Sequence, residues 1–128
     1  MKNKIKLEGS SSFVNLRKAI ANLRRSLATP VAEPRDLSGI IRDFEMVYEL
    51  SWKVIKKVLL ADGVDTTGPK DVLTKAFQLG YIDNEAAWLG MIQDRNNAAH
   101  VYDEAAARVL VDRIRSQYLG LVDKTFDA

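Results

Sequence analysis

The chain has 128 residues, 47% of them hydrophobic, with no cysteine, one histidine and a formal net charge of +2. That length and apolar fraction suit one globular domain, spanning 1–128, around a single core. The absence of cysteine excludes a disulfide scaffold and a thiolate metal site, and a lone histidine leaves only carboxylates to complete a zinc site. No metal or other cofactor is therefore expected.

The charge is unevenly spread. Residues 1–42 hold nine Lys or Arg against three acids, and residues 43–128 hold ten against fourteen. The basic portion suits a nucleic acid or acidic partner, or equally a solvated face with a basic tail. Residues 1–10 read as that flexible basic tail. Met1 to Glu8 alternates Lys with apolar residues and lacks the hydrophobic core of a signal peptide. No apolar run approaches the roughly 20 residues that span a bilayer. The expectation is a cytoplasmic protein without membrane association.

Ser11 or Ser12 can cap a first helix, in which Phe13, Leu16, Ile20, Leu23 and Leu27 make one buried stripe at steps of three and four. Ala28 to Arg35, with Pro30 and Pro34, reads as a loop. Asp36 or Ser38 starts a second helix running to about Ala61. Ile41, Phe44, Tyr48, Ile55, Val58 and Leu59 form its apolar face, and Glu45, Glu49, Trp52 and Lys56 an adjacent stripe. Gly63 to Lys70 falls short of a phosphate-binding P-loop, because Pro follows its second Gly and no strand precedes it. Pro69 instead opens a third helix, with Val72, Leu73, Ala76 and Phe77 turned inward, closed by Gly80. Asp83 can cap a fourth helix carrying Trp88, Met91 and Ile92. Asp103 can cap a fifth carrying Ala107, Leu110, Ile114, Leu121 and Val122, in which Gly120 allows close packing. No stretch shows sustained two-residue alternation with β-branched enrichment, so the fold class is all-α, an up-and-down bundle of about five helices.

The junction between the fourth and fifth helices, from Asp94 to Asp103, carries Arg95, Asn96, His100 and Tyr102. In a continuous helix Arg95 and His100 would lie about 140° apart. For both to act on one atom, the helix must end or kink between them, or two copies of the chain must meet. A neutral imidazole can take the proton of a ribose 2′-hydroxyl, and a guanidinium can grip phosphate oxygens and offset developing charge. Those residue types permit metal-independent RNA cleavage, with Asn96 orienting the ring or contacting substrate. Such chemistry needs the 2′-hydroxyl, so DNA is not expected. One histidine cannot easily be base and acid at once, which favours a homodimer with the site across its seam. Glu49 and Asp94 are candidate supporting carboxylates; Glu49 could hold Arg95 or orient His100, or simply sit in a surface ion pair. An Arg and a His near a helix end also commonly bond the last carbonyls and complement the helix dipole.

Arg95-Asn96-x-x-x-His100-x-Tyr102 resembles the signature of the HEPN superfamily. Phe44-Glu45-x-x-Tyr48-Glu49-Leu50-x-Trp52-Lys53 is similar to the second helix of its nucleotidyltransferase substrate-binding branch. Gly68 to Leu73, Ala76-Phe77-x-x-Gly80-x-Ile82-Asp83 and Trp88 match that branch too. The resemblance implies a dimerising helical bundle paired with a minimal nucleotidyltransferase. Gly9-Ser10 resembles the Gly-Ser of such transferases, yet no Asp-x-Asp follows, so this chain is not the transferase. Two functions are then in view. The first is a metal-independent endoribonuclease, the toxin of a toxin–antitoxin pair, using Arg95, His100 and Asn96. The resemblance makes Tyr102 a target for adenylylation by the partner, or a residue packed before the fifth helix. The second is a non-catalytic subunit that binds substrate or nucleotide for the transferase.

Overall fold

The computed structural model describes residues 5, 10–99 and 103–126. Helix α1 spans Ser11–Ala28, and its cap is Ser10, whose hydroxyl accepts the Phe13 N–H at 3.4 Å, one residue before the serines expected to do this. Phe13, Leu16, Ala19, Ile20 and Leu23 are buried along α2, while Leu27 is only partly covered. Ile5, inside the segment read as a flexible tail, is 4% exposed and packs into the core, so that reading does not extend to it. Residues 1–4 and 6–9 lie outside the described residues.

Helix α2, Pro34–Ala61, begins two residues earlier than Asp36. Asp36 instead sits at the third helical position and closes a capping box with Glu33, accepting the N–H groups of Ala32 and Glu33 at 2.9 Å each. Those bonds hold its carboxyl below the usual carboxylate range. The apolar stripe from Leu37 to Leu59 is buried, and α2 is the central rod, touching α1, α3, α4 and α5. Gly63 (φ 83°) turns the chain, and the Val64 N–H returns to the Leu59 carbonyl at 2.8 Å.

Helix α3, Pro69–Gln78, opens on its proline as expected. Val72, Leu73 and Ala76 are buried, but Phe77 is 42% exposed, contrary to the sequence reading. The three buried positions already occupy the stripe facing α2 and α4, and Phe77 falls beside it. Gly80 (φ 82°) ends the turn after α3. Helix α4, Glu85–Ala98, is capped by Asn84 rather than Asp83, its side chain accepting the Ala87 N–H at 3.0 Å. It buries Trp88 and Met91.

Asp103 caps the last rod as predicted, accepting the Ala106 N–H at 2.7 Å. That rod is not uniform. Helix α5, Glu104–Arg113, passes through a π-helical turn, Ile114–Tyr118, into α6, Leu119–Phe126. The wider turn carries one extra residue. It presents Ile114 and Tyr118 inward and lets Val122, Thr125 and Phe126 follow them into the core. Phe126 is fully buried, edge-on to Trp88 with ring centres 6.4 Å apart. Gly120 is exposed with nothing within 4 Å of an added Cβ, so it does not serve close packing. The described residues form an all-α bundle of five rods, without a strand, and no described helix is long and apolar enough to cross a membrane.

Candidate functional site

The last turn of α4 lies over the middle of α2, and this crossing sets Arg95 among carboxylates. Its Nη2 is 3.9 Å from Glu45 Oε2, and its Nε is 3.7 Å from Glu49 Oε1. Both gaps exceed hydrogen-bond length. Arg95 makes no hydrogen bond to any described residue, and its Nε is buried without a partner. Among the described residues the guanidinium is thus held by charge, with no donor in a hydrogen bond. All three side chains are about one-third exposed, at 32, 34 and 36% for Arg95, Glu45 and Glu49, so the attraction is partly screened.

Glu49 is shared. Its other oxygen accepts the Trp52 Nε1–H at 3.3 Å and lies 3.7 Å from Lys53 Nζ. Between the two carboxylates on α2 stands Tyr48, with its ring buried. Burial first, then Glu49, push its phenol above the ordinary value, while Arg95 pulls the other way. Tyr48 therefore remains a neutral O–H donor near neutral pH.

Asp94 turns away from Arg95, toward the last rod. Arg113 Nη1 donates to its Oδ1 at 2.7 Å, and the Tyr118 hydroxyl donates to its Oδ2. Tyr118 stacks on Phe44, with centroids 5.5 Å and planes 17° apart. The Asp94 side chain is only 12% exposed, so this carboxylate anchors the end of α4 to both α2 and the π turn. Asn96 is exposed and makes no side-chain bond among the described residues.

Helix α4 ends at Ala98, between Arg95 and His100, which is one of the geometries that would let them converge. His100 and Tyr102 themselves lie outside the described residues. The described residues on either side, Ala98 and Asp103, line a cleft of about 330 Å³ together with Leu37, Ile41, Arg42 and Glu45 from α2. The wall of that cleft includes Glu45, an Arg95 partner. Glu45 was visible only as a member of a helical stripe. Its pairing with a residue fifty positions on has no local signal. Tyr118 carried none at all, since a tyrosine on an apolar face reads as core.

A helical bundle with Arg95 near the end of its fourth helix agrees with the HEPN-type resemblance read from the sequence. Residues 11–128 match the family model described as "Nucleotidyltransferase substrate binding protein like", and the chain belongs to that family. It is 35% identical over 83 residues to a protein of Haemophilus influenzae named "Probable ribonuclease HepT", a stretch covering 61% of this chain and 57% of that one. The chain thus matches little more than half the length of that relative. Among solved structures, a protein of Thermus thermophilus superposes with TM-score 0.79 at 27% identity, over 86% of this chain and 94% of its own. HI0074 of Haemophilus influenzae, described as having the fold of a substrate binding domain of a nucleotidyltransferase, gives 0.77 at 26% identity, over 88% and 94%.

Proposed function

We propose that this chain is a HEPN-type, metal-independent endoribonuclease, the toxin of a pair whose other member is a minimal nucleotidyltransferase. The observation that carries the reading is Arg95, ion-paired with Glu45 and Glu49 but hydrogen-bonded to neither, near a cleft lined by Glu45, Ala98 and Asp103. A cation positioned by charge and free in its donors suits a ligand whose oxygens arrive from solvent. The name of the HepT relative supports the same reaction.

In this reading His100 takes the proton of a ribose 2′-hydroxyl, and the oxygen attacks the adjacent phosphorus. The bond to the 5′ oxygen breaks, leaving a 2′,3′-cyclic phosphate. Arg95 donates to the non-bridging oxygens as charge accumulates on them. The departing 5′ oxygen receives a proton from the imidazolium of a second copy, with the site lying across a homodimer. Asn96, exposed on the next face of α4, contacts the substrate.

The partner regulates by modifying Tyr102. Its phenol oxygen attacks the α-phosphorus of ATP, pyrophosphate leaves, and the phenolic proton goes to solvent. An AMP two residues from His100 adds bulk and negative charge where an RNA phosphate must lie. All of this belongs in the cytoplasm, where RNA and the partner are found.

The test is cleavage of single-stranded RNA in EDTA by the wild-type chain, Arg95→Ala and His100→Ala. Wild type should cleave to cyclic-phosphate ends, and both variants should lose activity by at least about a hundredfold. Equal cleavage by all three overturns the roles of Arg95 and His100, and none by wild type overturns the nuclease and leaves a substrate-binding subunit. A Tyr102 peptide of unchanged mass after incubation with partner and ATP removes the regulatory step.

A further inference from the structure

Two clefts, each of about 330 Å³, lie along the first turns of α2, one beside the α4–α5 junction and one toward the end of α1. The charged side chains that line them are almost all engaged. In the first, Glu45 faces Arg95, Glu104 pairs with Arg108 at 3.0 Å, and Asp103 accepts the Ala106 N–H. In the second, Arg35 pairs with Glu33 at 2.6 Å, Asp36 closes its capping box, and Asp43 accepts the Ser26 hydroxyl. The exception is Arg42. It lines both clefts, is exposed, and has neither hydrogen bond nor ion pair among the described residues.

Position adds to this. Arg42 lies one turn before Glu45, the residue that faces Arg95. Arg35 lies two turns before Arg42, on the same side of α2 and about 10 Å away along its axis. Between them on that side is Gly39, where an added Cβ would meet nothing within 4 Å, so no side chain blocks the way.

We propose that Arg42 is a phosphate-binding residue for the RNA strand flanking the cleaved linkage, the strand running from Arg95 across Arg42 toward Arg35. This rests on the nuclease reading and adds to it a second contact, outside the Arg-x-x-x-x-His motif. A guanidinium's planar fork matches phosphate oxygens, and contacts of this kind position a backbone without reading bases. A protein surface carries both signs of charge. Here each lining acid has a partner, Glu45 and Glu104 an arginine and Asp36, Asp43 and Asp103 an N–H or hydroxyl donor. Arg42 alone of the lining cations breaks no ion pair among the described residues when it takes a phosphate.

The experiment measures binding of a short single-stranded RNA by fluorescence anisotropy across a salt series. It uses the full chain carrying His100→Ala, so that the RNA stays intact. Arg42→Ala in that background should weaken binding about tenfold and reduce the slope of log affinity against log salt by about 0.7, the loss of one phosphate contact on a single strand. Arg42→Lys should restore the slope. Lys70→Ala, which removes another unpaired cation at the far start of α3, should change neither. Unaltered affinity and slope in Arg42→Ala overturn the proposal, while the Arg95 and His100 cleavage assay still decides the nuclease independently. If Arg42→Ala spares RNA but weakens capture of the nucleotidyltransferase, the cleft is a protein-docking surface and the proposal fails. If the parent does not bind RNA, the proposal falls, and wild-type cleavage alone decides the nuclease.

Discussion

Tyr118 donates its hydroxyl proton to Asp94, the residue immediately before Arg95. The tyrosine reaches it from the π turn, lying flat on Phe44. Three rods are thereby joined within one turn of the candidate site. The aim of Arg95 depends on that joint.

Tyr118→Phe keeps the ring on Phe44 and removes only the hydroxyl. It should cost about 1–3 kcal/mol in urea denaturation, since a charge-assisted bond is lost and one oxygen of a nearly buried carboxylate is left unpaired. RNA cleavage should fall as well. In an Arg95→Ala background the same change should leave residual cleavage where it is, because its effect runs through Arg95. A further loss there would assign Tyr118 to general stability.

Alkaline pH should weaken the fold. Burial, then the bond to Asp94 and its charge, push the Tyr118 phenol well above its ordinary value of 10.0, and Tyr48 is raised too, chiefly by burial. Between the unfolded and folded pKa the native state keeps protons that the unfolded chain releases. Stability is therefore complete below about pH 10 and declines as pH rises past it. Denaturation midpoints at pH 8, 10 and 11 should show the decline, and Tyr118→Phe should flatten it. A midpoint unchanged to pH 11 would contradict the raised phenols.

Glu49→Gln preserves an acceptor for Trp52 Nε1 and deletes the charge facing Arg95. The pairs it removes are partly exposed, so stability should change by less than about 1 kcal/mol. Steady-state cleavage should change in two directions. The freed guanidinium binds the ground-state phosphate more strongly, lowering KM, and loses its fixed orientation, lowering kcat. An unaltered kcat would mean that Glu49 does not set the pose of Arg95.

Gly120→Ala should stabilise. The residue is helical and exposed with open space at its Cβ, and alanine is favoured over glycine in a helix interior by up to about 1 kcal/mol. Thermal unfolding should shift upward by a few degrees. A downward shift would reveal a contact at this position that the isolated chain does not make.

The helices were legible because apolar residues recur every three or four positions and Pro34, Pro69, Gly63, Gly80 and Asp103 punctuate them. Caps were off by one at Ser10 and Asn84, since neighbouring residues of equal capping power compete and only backbone geometry chooses. Phe77 was misplaced because a three-residue stripe on a ten-residue helix already satisfies its neighbours. The π turn was invisible: Ile114, Tyr118 and Val122 are four apart, a spacing regular α-helix satisfies equally well. At the site, the motif pointed to Arg95, and the stripe on α2 contained its partners. Which carboxylates meet it, and that Asp94 faces Tyr118 instead, are properties of helix crossing that local sequence does not encode.

The π turn also makes the C-terminus a matter of counting. Deleting one residue between 114 and 118 would remove the extra residue and let the rod relax to regular helix with Val122 and Phe126 still turned to the core, whereas deleting one from the regular helix before it would rotate everything after by about 100°. Replacing Ser116 or Gln117, both exposed, leaves the register as it is. In this stretch, unlike the helix on either side, the chain can lose a residue and keep its register.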